Sequence, residues 1–158
     1  MKQHQYKTKT EWTGNSGSGT ASYQSYSRDH LVSAEGKQVV IPASSDPSFL
    51  GDHTRYNPEE LFLSSLSSCH MLWYLHMCTV NGVVVTGYTD HATGTMLENE
   101  DGSGRFTEVI LNPEVTVSDP EMIGKAAELH HKANEMCFIA NSCNFPPAVW
   151  RQMPPLID

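Results

Sequence analysis

Four cysteines, Cys69, Cys78, Cys137 and Cys143, are the candidate nucleophiles of this chain. Cys69 stands in NPEELFLSSLSSCHMLWYLHMCTVNG, residues 57–82, which has no Asp, Glu, Lys or Arg between Leu61 and Val80. A thiol attacks as its thiolate, and that needs a cation nearby and some access to solvent. Without both, Cys69 is an apolar core residue. His70 follows it directly but points about 100° away on a helix, so it is no automatic partner. Cys137 follows the helical run ELHHKANEM and precedes FIANS. A thiol at such a junction can feel a helix end, and it can meet Cys69 if the two helices pack. Cys78 and Cys143 show no partner logic and are read as bystanders.

Other chemistries find little support. There are 8 histidines, but no HxxxH, CxxC or DxDxDG occurs. His130 and His131 are adjacent, and Cys137 and Cys143 are spaced too loosely for a zinc knuckle. No metal and no cofactor are expected. There is no GxSxG elbow and no Gly-rich phosphate loop before a helix. The net charge of −8, without a basic block, argues against nucleic acid and anionic lipid as partners. MKQHQYKTKTEW carries positive charge with no apolar stretch behind it, so no signal peptide is expected. Few, scattered cysteines fit a reducing cytosol better than a disulfide scaffold.

The elements that must position these thiols can be read locally. Residues 6–12, 20–33 and 38–41 suit three strands of an antiparallel meander, with NSGSG as a turn and 43–56 as a loop. Asn57 suits a helix N-cap, Pro58 the first helical position, and Glu59 and Glu60 the positive end of the dipole. Asn81-Gly82 is the stop, giving a helix of about 24 residues and about 36 Å. Residues 83–97 and 105–117 are strand-like, joined at DGSG, and a second helix runs from Asp119-Pro120 to about Met136. Residues 137–144 begin a short turn or helix before a Pro-rich tail. The order β-β-β-α-β-β-α predicts an α+β fold in one domain of 158 residues.

The uncharged stretch from 61 to 80 is long enough to span a bilayer. Its four serines and two histidines are costly in hydrocarbon, so a buried helix is the better reading. A single small domain rarely surrounds such a helix, and SSLSS would let a second backbone approach. An oligomer with a shared core follows.

At this point the motifs become familiar. NPEELFLSSLSSCH resembles the central-helix motif of the OsmC/Ohr superfamily of thiol peroxidases (osmotically inducible protein C and organic hydroperoxide resistance protein). There NPE(E/Q)L(F/L) precedes the reactive cysteine, and the Glu-to-Cys difference of 10 matches Glu59 and Cys69. YSRDHLV at 26–32, SSDPSFLGDHTRYNPEE at 44–60, GRFTEVILNPEV at 104–115 and LHHKANEMCFIANS at 129–142 resemble further family segments, in order. Phe138 stands where the Ohr branch has proline, and SRDHL replaces its GRDG turn, which points to the OsmC-like branch.

The resemblance implies an intertwined homodimer around two central helices. It also implies reduction of organic hydroperoxides by Cys69 and Cys137, recharged by a small dithiol such as a lipoyl group. Arg28 would hold the thiolate, with Glu59 orienting its guanidinium; Arg55, beside the helix start, is the rival. Glu59 and Cys69 lie about 15 Å apart along one helix, so a long arginine or a second subunit must join them. The apolar face Phe62, Leu66, Leu72 and Trp73 would take the alkyl group. The alternatives are a binding protein that keeps the fold without peroxidase activity, or another cysteine-nucleophile enzyme.

Overall fold

The computed structural model describes residues 1–145, 149–150 and 156–157. Two compact units make up the chain, residues 1–62 and 63–158. Part of the expected Pro-rich tail lies outside the described residues.

In the first unit, β1 (Lys9–Trp12), β2 (His30–Ser33) and β3 (Ile41–Ala43) form an antiparallel sheet in that order. The expected meander is present, but its second strand is much shorter than residues 20–33. Serine hydroxyls satisfy the backbone locally and compete with a ladder. Ser25 Oγ accepts from Ser22 N at 3.0 Å and donates to Gly19 O at 2.9 Å. Asn15 Oδ1 accepts from Gly17 N and Gly19 N, curling the NSGSG turn. Gly14 must lack a side chain, because a Cβ there would sit 1.8 Å from Ser27 O. The third strand begins at Ile41 rather than at 38. The 43–56 loop is a loop as expected, with a 3-10 turn at Pro47–Phe49 capped by Asp46, whose Oδ1 accepts from Ser48 N at 2.7 Å.

Helix α1 spans Pro58–Val80. Its start is a reciprocal capping box. Glu60 N donates to Asn57 Oδ1 at 2.8 Å, and Asn57 N donates to Glu60 Oε2 at 3.1 Å. Its end is the expected Asn81-Gly82, with Gly82 at φ 72°, a left-handed conformation that favours glycine, and Val83 N bonded to Cys78 O at 2.9 Å. Among the described residues, no helix is long and apolar enough to cross a membrane.

In the second unit the two expected strands are four: β4 (Val85–Asp90), β5 (Thr93–Glu98), β6 (Gly104–Leu111) and β7 (Pro113–Val117). The hairpin turn falls at DGSG as expected, with Gly102 at φ 81°. The hairpin is broken midway, where Asp90 Oδ1 accepts from Asn112 N at 2.7 Å and the ring of Pro113 removes a donor. One half joins a sheet ordered β4-β7-β9, the other a sheet ordered β5-β6-β8, where β8 is Val149–Trp150 and β9 is Leu156–Ile157. Asp119 caps a 3-10 turn at Pro120–Met122, and α2 follows as Ile123–Met136.

The core lies where α1, α2 and β7 meet. Tyr74 and Cys78 from α1, Val83 just after it, Val115 and Val117 from β7, and Ala126, Leu129 and Ala133 from α2 are its buried members. On α1 the buried residues are Leu66, His70, Tyr74 and Cys78, one every four positions, which is a single face of the helix.

Candidate active site

Cys69 is half-exposed on α1, one position round from the buried stripe. Cys137 is the C-cap residue of α2 and is only 1% exposed. The helices bring the two thiols into each other's neighbourhood, close enough for each to bear on the other's ionisation. Neither is in a disulfide. Burial first, then the neighbouring Cys69 side chain, push the Cys137 thiol up to about 11. The amide of Ala140, 3.4 Å from Cys137 Sγ, works in the opposite direction. Cys137 therefore holds its proton at neutral pH.

An aromatic rim stands beside the thiols. Trp73, one turn beyond Cys69, meets Phe138, the neighbour of Cys137, edge to face at 5.5 Å. Trp73 also meets His76 at 5.7 Å. Leu72, Trp73 and His76 line a recess of about 280 Å³. The expected alkyl-binding face is corrected in one member: Leu66 is 2% exposed and turned into the core.

Cys78 is buried, with its thiol raised by desolvation, and Cys143 donates to Ile139 O at 3.2 Å. Burial explains Cys78, whereas Cys143 is only half-buried. No group of three or more His, Cys, Asp or Glu that could hold a metal occurs among the described residues.

Within the first unit, Arg28 donates to Tyr26 O at 2.6 Å and to Tyr23 O at 2.7 Å. Its guanidinium lies over the rings of Tyr23 and Tyr26, at 4.2 and 4.3 Å. No carboxylate pairs with it among the described residues, so the expected Arg28–Glu59 pair is not formed within the single chain; Glu59 is half-buried. Arg55 is engaged instead, 3.6 Å from Asp29 and 3.5 Å from Asp52. The tyrosine clamp was readable as SYQSYSR, two aromatic residues shortly before an arginine, and the sequence reading missed it.

Within the second unit another arrangement was also missed. His70 Nε2 and His130 Nδ1 are 3.0 Å apart and share one proton, both side chains being buried. The only sequence signal was that His130 and Cys137 are seven residues apart, on one face of α2.

Two neighbouring thiols, one from each of two helices, make this an α+β protein with a dithiol centre. Residues 51–150 match the family of OsmC-like proteins, and the chain belongs to that family. Among solved structures it is similar to an OsmC-like protein of unknown function from Vibrio cholerae, with 31% identity, TM-score 0.84, and coverage of 96% of this chain and 100% of that one. It is also similar to an OsmC-like protein from Mycoplasma pneumoniae (16% identity, TM-score 0.71, 98% and 99% covered). An organic hydroperoxide resistance protein from Elizabethkingia anophelis has the same fold (18% identity, TM-score 0.65, 99% of each chain covered). No curated protein matches in sequence.

Proposed function

We propose that the chain is a cysteine-based peroxidase that reduces organic hydroperoxides to alcohols in the cytosol. The observation that carries this reading is that Cys69, half-exposed, and Cys137, buried, are neighbours on two helices. The more exposed sulfur can reach a substrate, and the buried one keeps its proton. The Cys69 thiolate attacks the distal oxygen of ROOH; the O–O bond breaks, and RO⁻ takes a proton and leaves as ROH. Cys69 is then a sulfenic acid. The Cys137 sulfur attacks it, the S–O bond breaks, and the hydroxyl leaves with the Cys137 proton as water. The disulfide so formed protects Cys69 from further oxidation.

A dithiol of the lipoyl type would reopen that bond by exchange, becoming a disulfide itself and returning two thiols. Proximity favours a dithiol over a monothiol. A monothiol that attacks Cys69 leaves a mixed disulfide beside Cys137, which can expel it again. The second thiol of a dithiol competes from within the same molecule.

Arg28, assisted by Glu59, is our assignment for the cation that holds the thiolate. Support comes from the rival, Arg55, which is already tied to two carboxylates, Asp29 and Asp52. The rim of Trp73 and Phe138 offers apolar contact to the R group, which hydrogen peroxide lacks.

The homodimer belongs to the same proposal. Ser64, Ser68, Leu72 and His76 form an exposed stripe on α1 with no Asp, Glu, Lys or Arg in it, and Leu72 is 63% exposed. A second copy would cover it. Light scattering should read twice 17.5 kDa, and a reading of one chain would defeat the dimer.

Intact mass after cumene hydroperoxide tests the chemistry. The reduced protein should lose two hydrogens as the Cys69–Cys137 bond forms, and Cys137→Ser should instead gain one oxygen on Cys69. Unchanged mass would favour a binding protein, and a covalent adduct another thiol enzyme.

A further inference from the structure

We propose that His70 and His130 are positioning residues for the second step: their shared proton holds α2 so that the Cys137 sulfur lies against Cys69. This rests on the peroxidase reading above.

The histidine bond and the neighbouring thiols lie on the same pair of helices. On α1 the residues are neighbours, Cys69 and His70; on α2 they are His130 and Cys137, two turns and roughly 10 Å apart. A helix held at one point can swivel about it. Held at two points that far apart, it keeps its rotation and its slide. The thiols cannot set the geometry by themselves, because a thiol is a weak donor and a weak acceptor. The histidine tie is directional: the nitrogens are 3.0 Å apart, and the rings are within 4° of parallel. The ring of Tyr74 covers His130 at 3.9 Å, and the Tyr74 hydroxyl donates to Ala126 O at 3.1 Å, which fixes the ring to α2 on its other side.

The buried neighbourhood argues for a purpose beyond filling space. Two apolar side chains would fill this core position without any polar group to desolvate. A bonded pair gives α2 one register on α1. Removal of one partner leaves a buried polar atom with its desolvation uncompensated, and α2 must shift to admit water.

Isosteres separate positioning from mere folding. The amide of His130→Asn can put a polar atom where Nδ1 was, and that of His70→Gln where Nε2 was. His130→Leu keeps the bulk and loses the bond. In the folded variants, formation of Cys69 sulfenic acid and its conversion to the disulfide are followed separately after one equivalent of cumene hydroperoxide. With His130→Leu we expect the conversion to slow by about tenfold, the scale of one lost buried hydrogen bond. Sulfinic acid at Cys69 should rise with excess peroxide, while the first step changes by less than about twofold. His130→Asn should restore most of the rate. The proposal is overturned if His130→Leu closes the disulfide at the wild-type rate. It is also overturned if His130→Asn, folded by its melting curve, is as slow as His130→Leu. Failure of the wild type to form sulfenic acid would instead refute the peroxidase reading, so the two failures are distinguishable.

Discussion

Cys69→Ser is expected to reduce peroxide consumption with dihydrolipoamide by roughly a thousandfold or more, the scale of losing a covalent nucleophile. A serine hydroxyl stays neutral at pH 7, and oxygen is a poor nucleophile toward a peroxide bond. Nothing else in the dithiol centre can replace Cys69. Cys137 is 1% exposed, and its thiol is held protonated with a value near 11. The fold should tolerate the change, because Cys69 is half-exposed and lies beside, not within, the buried stripe of α1. A melting curve close to wild type, together with lost turnover, is the expected pair of results. Turnover within about tenfold of wild type would place the chemistry elsewhere.

Stability should fall steeply in mild acid. Burial lowers His70 to about 4, with Asp90 opposing, and lowers His130 to about 3, with His70 and His131 adding to the effect. An unfolded chain returns both to the ordinary 6.5. Both folded values are depressed, so the unfolded state takes up more protons as the pH falls. The stability these groups contribute is complete above 6.5 and is lost as the pH drops toward 4 and then 3. The slope is about 1.4 kcal/mol per pH unit for each histidine. Between pH 7 and 5 the pair accounts for about 3–4 kcal/mol, a large part of a typical folding free energy. Asp46, Asp52, Asp101 and Glu135 are also lowered by their hydrogen bonds, from 3.8 for the aspartates and 4.5 for the glutamate, so their effect falls mostly below this window. Urea unfolding at pH 7 and 5 measures the loss. His70→Gln/His130→Asn cannot titrate and should flatten it; an equal loss in that variant would remove the histidines as its source.

Local chemistry made α1 legible. Asn57, Pro58, Glu60 and Asn81-Gly82 act within a few residues of themselves, and each marks an end of the helix. The position of Cys137 at the close of α2 was legible for the same reason. What failed was what depends on distant residues. The break in the long hairpin is made by Asp90 reaching the amide of Asn112, which neither strand announces on its own. The strand expected over 20–33 lost most of its length to serine hydroxyls whose partners are set by the turn they form. The nearness of Cys69 to Cys137 could be named only as a possibility until two helices were seen to pack. His70 and His130 are separated by 60 residues, and an adjacent pair of histidines in the sequence says nothing about the third one across the core. Arg28 was named as the cation for the thiolate from its match to a family segment, and the tyrosine rings that hold it depend on the turn that precedes it.

The nearness of the two thiols has a consequence for how oxidation is felt by the rest of the molecule. A disulfide needs the sulfurs at about 2.05 Å, and here the two thiols start as neighbours on packed helices, so closure asks for little movement. Little chain must be reorganised, and the barrier to closure is correspondingly small. The oxidised and reduced proteins then present nearly the same outline to any neighbour. A partner that senses the redox state must do so by exchanging electrons at sulfur, because there is almost no change of shape to recognise.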